Sequence, residues 1–215
     1  MASRVMHLAI VQALLPRQAW KDPEALVFGA LLPDAMPPGS NSRMSHFVAC
    51  QRGMRCYDLK EFRRLYGDKL AEEGLYLGYY LHLIQDIVYR RFLYGPYNLH
   101  FRTPAERELL YRDYAILNRY LIEKKGLAPI AACPAQAEEA EIRGRFGLEP
   151  RRLLADLERD FTRAVEGEPA FITREMAEEY LGAALALCEK ELDALKTGAP
   201  LLDPWELAWN IRRDS

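Results

Sequence analysis

The sequence predicts an all-α protein, and three observations support this prediction. Apolar residues recur at the three- and four-residue spacing of a helix face in most long segments. Residues that favour helix starts precede these segments, and glycine or proline follows them. No alternation of apolar and polar residues persists long enough to predict a strand. The chain has 215 residues, half of them hydrophobic, so we expect one helical domain over residues 1–215.

The first two helices are predicted from their starts and ends. Ser3 is a good N-cap residue for a first helix, whose apolar spacing continues to Pro16. Asp22 and Pro23 form an N-cap and first-turn pair for a second helix over residues 24–32. Both helices belong to the half of the chain, about residues 1–125, in which we expect the functional site.

The other helices are predicted in the same way. Thr103 and Glu106 have the spacing of a capping box and mark one helix start. Trp205 and Trp209, four residues apart, indicate a last helix that docks onto the body. These helices are expected at residues 72–93, 104–125, 137–145, 150–165, 173–195 and 204–212, so that residues 130–215 form a C-terminal helical half.

A polar series in the first 90 residues carries the chemistry. It consists of His7, Asp34, His46, His82 and Asp86. His82 and Asp86 are four residues apart, which places them on one helix face, where they can bind one ion. Imidazole and carboxylate ligands suit zinc, iron or manganese. The alternative is a core histidine with an ion-pair partner.

The composition limits the partners. A formal net charge of −2 predicts no strong nucleic-acid-binding surface. We find no signal peptide and no stretch apolar enough to cross a bilayer, so a cytoplasmic protein without stable membrane attachment is expected. The four cysteines lack CxxC spacing, which fits reduced thiols. The sequence predicts no particular oligomeric state.

Four separated blocks give the chain a family resemblance. In order along the chain they are MHLA (residues 6–9), GALLPD (29–34), SHF (45–47) and GYYLHLIQD (78–86). Their order and spacing resemble those of the zinc-dependent phospholipase C family, which is related to the P1/S1 nucleases. The resemblance covers roughly residues 3–95 and implies a compact multi-helix bundle of the phospholipase C/P1 nuclease type.

The resemblance also implies which residues bind metal. Asp34, His46, His82 and Asp86 would hold one ion, and Asp86 would bridge to a second ion that His7 also binds. The family's third ion uses residues placed after the HxxxD block. This sequence offers Asp113 and His100 there, so we expect one or two ions, zinc before iron or manganese. The alternative for Asp113 is a solvated acid on a helix face.

A metal-dependent phosphoesterase acting on a small phosphoester is therefore the leading functional hypothesis. Asp34 would orient the attacking water or act as a general base in addition to binding metal. Arg43, and also Arg4, could bind phosphate oxygens, although either could be an ordinary surface arginine. Tyr76, Tyr79 and Tyr80 are candidates for a pocket or for the core.

Two other functions stay open at this point. One is a metal-dependent hydrolase that acts on a non-phosphate bond, because ligands and fold do not fix the substrate. The other is a helical metal-binding protein without catalytic activity.

Overall fold

The structure is a computed structural model that describes residues 2–163 and 165–210, and this part of the chain is mainly helical. The prediction of a helical fold is confirmed. The α-helices are α1 (Arg4–Leu14), α2 (Pro23–Gly29), α3 (Ser42–Ser45), α4 (Leu59–Glu72), α5 (Gly74–Tyr94), α6 (Pro104–Lys125), α7 (Ala135–Glu139), α8 (Glu141–Phe146), α9 (Pro150–Thr162) and α10 (Arg174–Lys196). Two 3₁₀ turns, Leu15–Arg17 and Leu32–Asp34, follow α1 and α2.

The predicted helix starts agree with the structure because the capping residues act as expected. The side chains of Ser3, Asp22 and Thr103 each accept a hydrogen bond from a backbone N–H in the first turn of α1, α2 and α6. Glu106 completes the capping box of α6 by accepting the Thr103 backbone N–H. Each such cap satisfies an amide that has no partner inside the helix.

A small antiparallel sheet corrects the prediction that the chain has no strands. Its strands are β1 (Val48–Gln51), β2 (Met54–Tyr57) and β3 (Trp209–Asn210), in the order β1-β2-β3. Arg52 and Gly53, between β1 and β2, both have positive φ, which is the backbone conformation of a tight type I′ hairpin turn. Strands of four residues are too short to show a persistent alternation, and β3 pairs with β2 from the far end of the sequence.

The helix predictions were wrong in three places. The segment predicted as a helix over residues 204–212 contains a turn and β3 instead, and residues 211 and 212 lie outside the described part. The predicted helix at 137–145 is divided into α7 and α8 at Ala140, whose ψ of 132° is extended. Helices α3 and α4, which follow one another along the chain, were not predicted, and the pattern of α4 is interrupted by a non-helical φ at Tyr66.

Helix α5 lies at the centre of the molecule. Of its 21 residues, 15 are buried, and α2, α4 and α10 pack around it. The buried hydrophobic side chains from both halves of the chain form one cluster. Among the described helices, none combines the length and the apolar character that crossing a membrane requires.

Glycines allow α2 and α5 to approach closely. A Cβ added to Gly78 of α5 would overlap the carbonyl oxygen of Leu26 and come within 2.7 Å of the Ala30 nitrogen. A Cβ added to Gly29 of α2 would likewise overlap the carbonyl group of Leu75. The two backbones therefore touch directly, which brings the chain after α2 next to the middle of α5.

Candidate metal centre

The structure brings together all five residues of the polar series. His7 projects from α1, Asp34 ends the 3₁₀ turn after α2, and His46 follows α3. His82 and Asp86 lie one turn apart on α5. Four segments of the first half of the chain thus meet at one point in the core.

The side chains are close and almost fully buried. The Nε2 atom of His46 is 3.5 Å from Asp34 Oδ1 and 3.6 Å from Asp86 Oδ2. The Nε2 atoms of His7 and His82 lie 3.5 Å and 3.8 Å from oxygens of Asp86. Asp34 has the most accessible side chain of the five, at 8% exposed. Burial removes most of the water around these groups, so they must satisfy one another or bind an ion.

Backbone carbonyl groups fix the orientation of two of the imidazoles. His46 Nδ1 is 2.8 Å from the Ser42 carbonyl oxygen, and His82 Nδ1 is 2.9 Å from the Ala30 carbonyl oxygen. A carbonyl oxygen can only accept, so in both rings Nδ1 carries the hydrogen and donates it. Each neutral ring therefore presents the lone pair of Nε2 to the centre of the cluster.

His7 is oriented by a side chain instead. Its Nδ1 donates to Gln85 Oε1 over 2.7 Å, which again leaves Nε2 to face the cluster. Outer hydrogen bonds of this kind are the usual companions of metal-binding histidines, because they fix the ring and make it more basic. All three histidines thus have the arrangement that a metal ion requires.

The cluster has electron pairs with no partner to accept them. The Nε2 atoms of His46 and His82 lie only 3.1 Å apart, although each carries a lone pair in the tautomer set by its outer bond. His7 Nε2, Asp34 Oδ1 and Asp86 Oδ2 are buried without a hydrogen-bond partner among the described residues. A single cation at the centre would satisfy these atoms together. The donor set therefore fits a metal ion.

Most side chains of the cluster have the protonation state that binds a metal ion, which is an ionised carboxylate or a neutral imidazole. Burial opposes ionisation of Asp34 and Asp86, yet the pKa of both carboxyls lies well below the usual value. The surrounding histidines lower it at Asp34, and the charge of the amino terminus, followed by His7 and His82, lowers it at Asp86. Burial lowers the pKa of His82 to about 3, so this ring is neutral near pH 7. Burial also disfavours the charge on His7, but Asp86 raises its pKa above the ordinary value.

The potential ligands form two overlapping groups. One contains His7, Asp34 and His82, and the other contains His46, His82 and Asp86. Both groups need the same nitrogen of His82, because its Nδ1 is bonded to a backbone carbonyl. One nitrogen lone pair binds one ion, so the two groups cannot be filled independently through His82.

A cavity of about 660 Å³ adjoins the cluster, and Asp34 lines it. Close by, the Ala2 backbone N–H donates to Asp86 Oδ1 over 2.9 Å. Asp34 thus belongs both to the metal-binding group and to the cavity wall. The charged residues in the wall are mainly arginines, namely Arg4, Arg55, Arg90, Arg102, Arg107 and Arg163.

Two residues predicted for the site lie elsewhere. Asp113 belongs to neither ligand group, and its buried carboxylate accepts hydrogen bonds from the backbone N–H groups of Ala170, Phe171 and Ile172. It therefore anchors the segment before α10. Arg43 is exposed on α3 and is not among the described residues that line the cavity.

The three tyrosines of α5 belong to the core. Tyr76, Tyr79 and Tyr80 are at most 1% exposed, and none of them is among the described residues of the cavity wall. The Tyr79 hydroxyl donates to the Ser45 carbonyl oxygen and so braces the residue next to His46.

Sequence reasoning missed Gln85 and Arg90 as members of the site. Arg90 lies on α5 one turn after Asp86, lines the cavity, and donates from Nε to the Tyr57 hydroxyl. Its spacing of four from Asp86 and eight from His82 was the available signal, because such residues share one helix face.

Comparisons with family models, curated proteins and solved structures find no match for this chain. The resemblance to the phospholipase C family therefore stays a prediction from the four sequence blocks. What is known of the function must come from the cluster and the cavity.

Proposed function

We propose that the protein is a metal-dependent phosphoesterase. The observation that carries this proposal is the set of three buried imidazoles, each held from outside so that Nε2 faces two carboxylates. An arrangement with this many unsatisfied electron pairs is costly unless a cation binds there. His7, Asp34, His46, His82 and Asp86 would hold the ion.

The ligand types favour zinc, with iron or manganese as alternatives. Three nitrogens and carboxylate oxygens without a thiolate suit all three metals, and zinc is the ion that the family resemblance implies. When bound, such an ion would supply an activated water and neutralise charge on a phosphoryl oxygen.

The surroundings of Asp34 support phosphate as the substrate group. Asp34 connects the buried cluster to a cavity whose wall carries six arginines. Guanidinium groups match phosphate oxygens in geometry and charge. A neutral amide or carboxyl ester would not pair with these arginines. The charge of the cavity therefore favours a phosphoester substrate over an amide or a carboxyl ester.

Asp34 would position the attacking water. Its pKa is held well below the usual carboxyl value, so it is ionised and can accept a hydrogen bond from water at the cavity end. A carboxylate with so low a pKa is a weak base at neutral pH. Binding the ion and orienting the water are therefore its main roles.

Metal analysis with matched histidine variants tests the proposal. We expect about one ion per chain in the full-length protein, purified without chelator and reconstituted with zinc, manganese or iron in parallel. The His82→Ala variant should lose the ion completely. The isosteric Asp34→Asn variant should lose part of the bound metal. His100→Ala is the control, because His100 lines the cavity but belongs to neither ligand group.

The same samples are then assayed for hydrolysis, with circular dichroism to check that each variant folds. We expect turnover of p-nitrophenyl phosphate or bis(p-nitrophenyl) phosphate that disappears with the ion. Absence of bound metal in all three reconstitutions would refute the proposal. If metal binds but only carboxyl esters or amides are hydrolysed, the protein is a metal-dependent hydrolase whose substrate is not a phosphoester.

A further inference from the structure

The cavity beside the cluster is strongly positive although the whole chain is slightly negative. Its described wall carries six arginines against two aspartates, Asp34 and Asp160, while the formal net charge of the protein is −2. A divalent ion would offset the two carboxylates of the cluster, so the arginines would dominate the field in the cavity. The excess of arginines over aspartates is larger than the charge of one phosphate group can neutralise.

Two of these arginines are half-buried and close to the ligands in sequence. Arg4 precedes His7 by one turn of α1, and its Nε donates to Asp160 over 2.8 Å. Arg90 follows Asp86 by one turn of α5 and lies against the rings of Tyr94 and Trp209. We name Arg4 and Arg90 the inner arginines. Both are held in place by the protein and are positioned near the cluster end of the cavity.

Three other arginines are exposed and come from segments that hold no ligand. They are Arg102 and Arg107, at the start of α6, and Arg163, at the end of α9. We name these three the rim arginines. Their guanidinium groups form no hydrogen bond or ion pair with the residues that the structure describes. Like charges gathered on one cavity wall repel each other and are stabilised when an anion binds between them.

We propose that the substrate carries at least two phosphate groups and that the rim arginines bind the one that is not cleaved. This inference rests on the proposed function. The phosphoester to be hydrolysed would lie at the Asp34 end, near the inner arginines. Hydrolysis breaks the bond between its phosphorus and the leaving oxygen and forms a bond from the same phosphorus to the oxygen of water. A proton of that water ends on the leaving oxygen, and the second phosphate stays unchanged at the rim.

The size of the cavity limits the rest of the substrate. A volume of about 660 Å³ lies in the usual range for small-molecule sites. Tyr111, 65% exposed, and Phe101 also line it and offer apolar surface next to the rim arginines. The cavity thus fits a compact organic bisphosphate better than a polymer, which would need a positive groove running along the surface.

Calorimetric titration of the metal-reconstituted, full-length protein with inorganic tripolyphosphate and with orthophosphate tests the inference. We expect tripolyphosphate to bind at least about tenfold more tightly, because charge-assisted hydrogen bonds to a second phosphate each contribute about a factor of ten. In the double variant Arg102→Gln/Arg107→Gln this ratio should fall close to one.

A double variant with the same change in net charge is the control. Arg64→Gln/Arg119→Gln removes two exposed arginines that are not among the described residues of the cavity wall. It should keep the preference for tripolyphosphate and so exclude a general charge effect. Metal content is measured in all samples.

The outcomes separate this inference from the proposed function. If metal binds and phosphoesters are hydrolysed but the rim variant keeps the wild-type ratio, the rim site is wrong and the proposed function stands. If no metal binds but the preference for tripolyphosphate over orthophosphate depends on the rim arginines, the anion site is supported and the proposed function is wrong. Tighter binding of a single-stranded oligothymidylate than of tripolyphosphate would refute the inference that the substrate is a small molecule.

Discussion

At the scale of single residues, the hydrogen bonds behind the histidines decide what the cluster can do. Three buried imidazoles would ordinarily pair with one another or with the nearby carboxylates. Here His46 and His82 give their Nδ1 hydrogens to backbone carbonyl oxygens, so neither ring has a hydrogen for the other in its neutral form. The outer bonds turn five polar side chains into one set of electron donors.

Gln85 is the outer partner whose removal is most informative. Gln85→Leu keeps a similar volume in the core but removes the oxygen that accepts from His7 Nδ1. We expect the affinity for zinc to fall by about 10- to 100-fold, as is typical when an outer partner of a ligand is lost. Competition with a chelating dye of known affinity measures the change.

Gln136→Leu is the matched control for this variant. Gln136 is exposed and donates to Asp22, far in sequence from the cluster ligands of α5. Its affinity for zinc should equal that of the wild type. Equal affinities in the Gln85 variant and the wild type would mean that the outer bond of His7 does not contribute to metal binding.

The sequence was sufficient to predict the five cluster residues but not their surroundings. The spacing of His82 and Asp86 alone places them on one helix face, whereas His7, Asp34 and His46 are indicated by the sequence blocks that carry the family resemblance. The cavity arginines come from five separate segments, so no local pattern links Arg4 to Arg107 or Arg163. Their meeting depends on the packing of α6 and α9 against α1, which spacing does not encode.

At the scale of elements, the pair α2 and α5 places the site. Gly78 and Gly29 allow the two backbones to touch. This approach sets the Ala30 carbonyl oxygen 2.9 Å from His82 Nδ1, and Asp34 follows four residues later. Direct packing of two helices therefore fixes both a ligand and an outer partner of another ligand.

Gly78→Ala tests this dependence. The added Cβ would overlap backbone atoms of α2, which cannot rotate away, so the helices must separate. Overpacking costs about 1–3 kcal/mol, and we expect a loss near the upper end, about 3 kcal/mol, in the free energy of unfolding. Affinity for zinc should also fall, because the Ala30 carbonyl moves away from His82. Urea denaturation and dye competition measure the two effects.

Gly182→Ala is the matched control within a helix. Gly182 lies inside α10, and an added Cβ would meet no atom within 4 Å. This change should stabilise the protein by about 0.5–1 kcal/mol, since alanine favours the helix. A Gly78 variant as stable as the Gly182 variant would show that α2 and α5 are not so close.

Elements were predicted well where a local signal exists. The caps at Ser3, Asp22 and Thr103 each satisfy amides within four residues, so the neighbouring sequence is sufficient to locate the helix start. By contrast, β3 exists because Trp209 pairs with Arg55, more than 150 residues earlier. The spacing of Trp205 and Trp209 imitated a helix face and gave the wrong prediction.

At the scale of the whole molecule, the distribution of charge matters more than its sum. The net charge of −2 predicts no attraction to polyanions. The fold nevertheless gathers six arginines from α1, α5, β2, α9 and the start of α6 around one cavity, against only two aspartates among the described residues of its wall. Composition describes the average surface, whereas binding depends on the local field that the fold creates.

The last described residues of the chain pack against residues next to the candidate metal centre. Trp209 is 6% exposed, and its ring lies 5.0 Å from that of Tyr57, which in turn lies 6.0 Å from the ring of His46. Arg90 also packs against Trp209. The last described strand therefore supports the hairpin behind His46 and one of the inner arginines.

Trp209→Ala should expose how much this closure contributes. Loss of a buried tryptophan costs about 3–5 kcal/mol, and we expect a decrease of about 3 kcal/mol in the free energy of unfolding measured in urea. Affinity for zinc should fall less than in the Gln85 variant, because the ring of Tyr57 lies between Trp209 and His46. Trp205→Ala is the control, since Trp205 is half-buried in the turn before β3, and its loss should cost about 1 kcal/mol. Equal losses in the two variants would show that the Trp209 ring, packed on Tyr57, does not hold the C-terminal segment against the hairpin.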